Sequence, residues 1–276
     1  MFEVSKRSVQ RARKHISDLE QEVDDFNCLG GSYKIIEEAY GDRQRFVVKA
    51  KLNRDVPDVL ESIVTDTIYN LRASLDQVVY SAAVLSKNNS TEGGIDLTKR
   101  LWQYPVKSNL SNVEKKLDQV CSPSGIPDKL RELILSQEPY LSDQKESLLW
   151  SLNNLANINK HKYLTLSNIR AGHFKLEHVS GPKTVGNFDH FELGGGGFTV
   201  NTVPHEAPVG KNEIGLYVSS YNPKTTYKIA VKLDIMFVDS KGMENRTCTF
   251  QLKKMAERCS IVIEEFEKMF TDLGYV

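Results

Sequence analysis

Cysteine is scarce in this chain, and its four residues stand apart: Cys28, Cys121, Cys248 and Cys259 form no Cys-x-x-Cys pair. That scatter argues against both structural zinc and a disulfide framework, and a reducing cytoplasm fits it best. Long hydrophobic runs are missing as well. No apolar stretch approaches the roughly 18 residues that a membrane-spanning helix needs, and the amino terminus is charged where a secretory leader would have its apolar core. Secretion and membrane insertion both lose support. Net charge is absent too, with 36 Lys and Arg balancing 36 Asp and Glu. The whole-chain field of a non-specific nucleic-acid binder is therefore missing, and any nucleic-acid contact must be local. There is no Gly-x-Ser-x-Gly elbow, no His-Glu-x-x-His helix and no dinucleotide fingerprint, which removes most familiar enzyme classes.

What the chain does have is apolar content: 40% of its 276 residues are hydrophobic, enough for a large core without disulfides. A helix is expected from about Pro57 to Leu85, because Leu60, Val64, Ile68, Leu71, Leu75, Val78 and Ala82 recur every three or four positions and line one face. Steps of about 100° place Arg72 and Asp76 on one flank of that stripe and Asp66, Asn70 and Gln77 toward the other. Val9, Ala12, Ile16, Leu19, Val23 and Phe26 give a first helix with a narrow seam. Leu252, Cys259, Phe266 and Leu273 repeat every seven residues at the other terminus. Both terminal helices are expected in one bundle, against each other. The first is basic at Lys6, Arg7, Arg11, Arg13 and Lys14 and acidic at Glu20, Glu22, Asp24 and Asp25, a face that complements a neighbour.

Between these helices, Tyr33 to Ala39 and Arg45 to Leu52 form a hairpin whose turn holds Gly41 and Asp42. Tyr104-Pro105-Val106 is extended, and shorter helices follow at Val113 to Val120 and Pro127 to Ser136. Ser142 caps a helix running to about His161. From Tyr163 onward the pattern turns β-prone, at Tyr163 to Ile169, Phe174 to Val179, Phe188 to Leu193, Phe198 to Val203, Ile214 to Ser219 and Tyr227 to Val238. One antiparallel sheet is the expected assembly, with a turn at Asn222-Pro223-Lys224 and a short strand near Thr247. The expected organisation is a helical bundle over 1–162 carrying the hairpin at about 33–52, a β-region over 163–250, and a closing helix over 251–276. The fold class is α+β.

Two clusters carry chemistry. Asn153, Asn157 and His161 are spaced i, i+4, i+8 and share a helix face, with Lys160 adjacent. That face suits a phosphate or a polarised hydroxyl; alternatively the asparagines cap loops and the basic residues answer the helix dipole. Arg72 and Asp76 are spaced for an ion pair within the helix, or for Arg72 to reach a phosphate with its planar donor fork. Gly194 to Gly197 lacks the Lys-Ser/Thr ending of a phosphate loop and suits a hairpin turn. His173, His178, His190 and His205 have no ligand spacing, so no metal or other cofactor is expected.

The segment from Asp66 to Gln77 and the later Asn157-Ile158-Asn159-Lys160-His161-Lys162 resemble a widespread family of uncharacterised bacterial proteins. Its first segment reads Gly-Asp-x-x-His-Asn-Leu-Arg-Ser-x-Leu-Asp-His and its second Asn-x-Asp-Lys-His-Arg. Tyr104-Pro105-Val106 and Gln137-Glu138-Pro139-Tyr140 resemble its Phe-Pro-Ile and Gln-Pro-Tyr stretches, so the likeness covers residues 5 to 166. An Arg followed four to six residues later by His on a bundle helix is the signature of the HEPN superfamily, many of whose members are dimeric, metal-independent ribonucleases. The resemblance implies an RNA- or nucleotide-binding protein of bacterial or phage-defence type, up to an endoribonuclease. Arg72 would be the phosphate clamp and His161 the acid/base, with Asn70, Asp76, Gln77, Asn157 and Lys160 at the ligand. It also implies a homodimer across the central helix. The chain departs from the signature at Gln77, where His would stand, and at Tyr69, where an earlier His would stand. The rival expectation is a non-catalytic interaction or scaffold module in which the site has decayed.

Overall fold

The computed structural model describes residues 1–28, 33–40, 45–55, 57–90, 95–98, 102–122, 125–141, 147–161, 168–180, 190–193, 213–220, 226–237 and 247–275. Among them are six helices: α1 (Glu3–Cys28), α2 (Val59–Asn89), α3 (Leu110–Cys121), α4 (Asp128–Ser136), α5 (Leu148–His161) and α6 (Cys248–Asp272). The strands are β1 (Tyr33–Tyr40), β2 (Arg45–Leu52), β3 (Asn168–Ser180), β4 (His190–Leu193), β5 (Glu213–Ser220) and β6 (Thr226–Met236). The class is α+β.

α2 is the centre of the bundle, touching α1, α5 and α6. It is rich in Val, Ile and Thr, which are indifferent helix formers, so burial rather than propensity holds it. All seven residues of the expected stripe are buried, from Leu60 to Ala82. Its buried hydroxyls are satisfied locally: Thr67 donates to the Ile63 carbonyl, Ser74 to Leu71 and Ser86 to Ala82. The helix runs four residues past the expected end, to a cap at Ser90.

α1 and α6 do pack on each other. Phe2 lies edge-on to Phe266 and Phe270, with centroids 6.2 and 5.8 Å away. The charge reversal along α1 has its complement on α6: Lys6 meets Glu267 at 2.8 Å, Arg13 meets Glu257 at 3.3 Å, and Glu20 meets Lys253 at 2.6 Å. Those pairings fix the two helices antiparallel. Arg54 ends the hairpin by donating to the Phe26 carbonyl at 3.0 Å and stacking over the Phe26 ring, which caps α1.

Three expectations need correction. The strands do not make one carboxy-terminal sheet: β5 pairs with β2, giving the order β1-β2-β5, while β4, β3 and β6 form a second sheet in the order β4-β3-β6. The segment holding Asn222-Pro223-Lys224 therefore links two sheets and does not close a hairpin. Thr247, at a bridge position directly before α6, also caps that helix, its hydroxyl accepting from Phe250 N. α5 begins at Leu148, with Ser147 accepting from Trp150 N, so Ser147 takes the capping role expected of Ser142. β3 fuses the end of one expected strand with the next. The Gly41-Asp42 turn, Ser142, the strand at 198–203, Gly194 to Gly197 and His205 lie outside the described residues. Within β2, Lys49 is buried and its ammonium donates to Glu38 of β1.

The aromatic cluster should carry far more stability than the ion pairs beside it. In denaturant unfolding, Phe266→Ala is expected to cost about 3–5 kcal/mol, and Lys253→Glu under about 1 kcal/mol because that pair is exposed.

Candidate functional site

The two polar flanks of α2 face different neighbours. The flank bearing Arg72 and Asp76 meets α5 and the extended segment 102–107. Arg72 Nε donates to Asn153 Oδ1 at 3.1 Å, Nη1 to Asp76 Oδ1 at 2.6 Å, and Nη2 to the Tyr104 carbonyl at 3.0 Å. Asp76 Oδ1 also accepts the Tyr104 backbone N–H at 2.9 Å. The Arg72 side chain is only 13% exposed. A guanidinium so shielded needs acceptors in place of water, and a carboxylate, an amide oxygen and a main-chain carbonyl supply them.

The other flank meets α1, where Gln77 Oε1 accepts from the hydroxyl of Ser8 at 2.8 Å. Ser8 is buried. Asn70 bends back to the Asp66 carbonyl at 2.8 Å. Between the flanks, Tyr69 is 67% exposed and Tyr80 46% exposed, both on the one outward strip of α2.

On α5, Asn153 is half-buried beneath Arg72 and Asn157 is exposed one turn on. Lys160 and His161 end the helix, and their side chains lie outside the described residues. His161 stands eight residues beyond Asn153, about 12 Å further along the axis at 1.5 Å per residue. Arg72 is thus joined to the α5 face at a level two turns before the imidazole-bearing residue.

Three of the four segments that carry the resemblance, at 66–77, 104–106 and 137–140, nonetheless converge. Arg72 and Asp76 hold Tyr104, and Lys107 N donates to the Pro139 carbonyl at 3.1 Å, with a bridge between Lys107 and Tyr140. From α6, Arg258 donates to the Gln137 carbonyl at 3.0 Å. The Tyr104 ring is fully buried, 6.4 Å from Phe266, and burial pushes its phenol well above the ordinary range. Burial also pushes the Cys259 thiol up to about 12, while its Sγ donates to the Leu71 carbonyl at 3.8 Å. A thiol held neutral in this way is a packing group and not a nucleophile.

Sequence reasoning assigned no partner to Arg72 beyond Asp76, and it passed over Ser8 and Arg258. Ser8 had a readable signal, since a hydroxyl beside the apolar seam of α1 needs a partner from the helix it packs on. Among the described residues no group of three His, Cys, Asp or Glu could hold a metal ion. No helix among them is long and apolar enough to cross a membrane. Compared with protein-family models, curated proteins and solved structures, the chain gives no match.

Two measurements check this geometry. Arg72→Lys should be nearly as damaging as Arg72→Met, each lowering unfolding stability by about 2–4 kcal/mol, because an ammonium cannot reach three divergent acceptors. Alkali should also destabilise the protein. The Cys259 thiol ionises in the unfolded chain near its ordinary value of 9.0 but in the folded chain only at about 12. Its contribution is therefore intact below about pH 9 and is lost as pH rises toward 12. Between pH 9 and 11, Cys259→Ala should flatten the fall in unfolding free energy by about 1.4 kcal/mol per pH unit.

Proposed function

We propose that the protein is a non-catalytic interaction module built on a HEPN-like bundle, whose former reaction site now holds the fold together. The observation that carries this reading is the use of both α2 flanks for internal bonds. Arg72 serves Asn153, Asp76 and the Tyr104 carbonyl, and Gln77 serves Ser8. No general base stands on α2 near the arginine, since Tyr69 and Gln77 occupy the positions where the resembling family has histidines. An amide cannot shuttle a proton.

The partner of first choice is a second copy of this chain, lying across the exposed strip of α2 that carries Tyr69, Ala73 and Tyr80. Tyr69 is the most exposed of the large hydrophobic residues among the described ones, Tyr80 shares its face of α2, and Tyr is favoured in interface centres. A second reading, RNA or nucleotide binding with residual cleavage, draws on the adjacency of Arg72 to α5, the helix that also bears Asn157, Lys160 and His161. In it Arg72 holds a phosphate and His161 moves the proton.

One set of purified proteins separates the readings. The module reading expects no cleavage of mixed RNA by the wild type and none by Gln77→His. It also expects a dimer by light scattering at micromolar concentration that Tyr69→Glu with Tyr80→Glu dissociates. RNA cleavage by the wild type that His161→Ala abolishes would overturn it in favour of the nuclease, and a wild-type monomer would remove the second-copy partner.

A further inference from the structure

The helical pair α3–α4 is attached to the bundle by a paired neck. Its incoming segment, 102–107, and its outgoing segment, 137–140, run side by side, joined by the bond from Lys107 N to the Pro139 carbonyl. Within the pair, α3 rests on α4 and Arg131 bonds Asp118 at 2.5 Å, while α4 reaches α6. The neck is pinned from several sides. Arg72 takes the Tyr104 carbonyl, Asp76 the Tyr104 amide, Arg258 the Gln137 carbonyl and the Ser147 hydroxyl the Glu138 carbonyl.

Three unfavourable features are concentrated at the same place. Glu138 has φ of +50°, a left-handed conformation that side chains resist, and it directly precedes Pro139, which disfavours it further. The Tyr104 hydroxyl and the Gln137 side-chain oxygen are both buried and make no hydrogen bond among the described residues. Buried polar groups left unpaired oppose the state that buries them. Water can replace the bonds that pin the neck once it opens, but the strain and the two unpaired groups are relieved only by opening. Strain of this kind persists where surrounding contacts over-determine it.

We infer that α3–α4 is a spring-loaded unit that lifts from the bundle about the 102–107/137–140 neck without global unfolding. Lifting takes the Tyr104 main chain off Arg72 and Asp76, so the charged pair on α2, whose side chains are 13% and 32% exposed in the closed form, gives up its main-chain partners and is fully opened to solvent. This holds for either reading of the function. The tip of the pair is a second control point. Gly125 has φ of +93°, and a Cβ there would come within 2.7 Å of Ser90 Oγ at the end of α2, so Gly125→Ala pushes the tip away.

Native-state hydrogen exchange read by mass spectrometry tests the inference. Amides of 110–136 should exchange through an opening well below global unfolding, ahead of those in α1, α2 and α6. Glu138→Gly should slow exchange in 110–136 by about fivefold, because glycine accepts the left-handed backbone. Gly125→Ala should speed it by about tenfold. Neither should shift the slowest amides of α1 and α6. Exchange of 110–136 in step with the bundle, or Glu138→Gly leaving it unchanged or slowing every helix equally, would overturn the inference.

Discussion

A guanidinium that is shielded from water and cannot lose its proton dictates much of what surrounds it. Arg72 leaves the central helix just beside the apolar stripe, and only 13% of its side chain is exposed. Each face of its donor fork therefore needs a fixed acceptor. Asp76 comes from the same helix, Asn153 from α5 and a carbonyl from the segment at Tyr104. One side chain thus sets the register of three parts of the chain that are distant in sequence. Exposed at i, i+4, the Arg72–Asp76 pair would contribute a few tenths of a kcal/mol. Shared with a buried main chain, it becomes a condition of assembly, since removing one member strands the others.

The terminal helices solve a different problem. Basic residues near the start of α1 and acidic residues near its end oppose the helix dipole, an arrangement that disfavours the isolated helix. The conflict is resolved by α6, whose Glu267 and Glu257 lie beside Lys6 and Arg13 in the basic half of α1 and whose Lys253 lies beside Glu20. Surface pairs of this kind add little stability, but a parallel or shifted packing would set like charges against each other. Aromatic burial at Phe2, Phe266 and Phe270 supplies the attraction, and charge order chooses the direction.

The helices were legible in the sequence because burial follows a period: every residue of the α2 stripe and of the α1 seam could be read from spacing alone, while the seven-residue repeat of α6 holds at Leu252, Cys259 and Phe266 and fails at Leu273, which caps the helix. Sheet membership was not legible. Nothing in Ile214 to Ser219 says that its partner is β2, some 160 residues earlier, in preference to the β-prone runs on either side, because strand pairing is set by main-chain bonds that carry no side-chain code. The candidate site was legible in part. Position on α2 identified Arg72, Asp76 and Gln77 as flanking groups, but their destinations depended on which elements the fold brought alongside. The resemblance supplied chemistry for those residues; the hydrogen bonds supplied a structural use.

Gln77 shows how an amide suits a structural site. Its side-chain oxygen accepts a bond from Ser8 in the α1–α2 interface, where Ser8 is buried. An imidazole has an ordinary pKa of about 6.5, and protonation in that position would convert its acceptor nitrogen into a donor facing the Ser8 hydroxyl. Desolvation would also penalise the charged form and depress its basicity. An amide keeps one acceptor at every pH and introduces no charge between the helices. A glutamine there keeps the interface independent of pH, and a bundle held together by its central helix gains from that property.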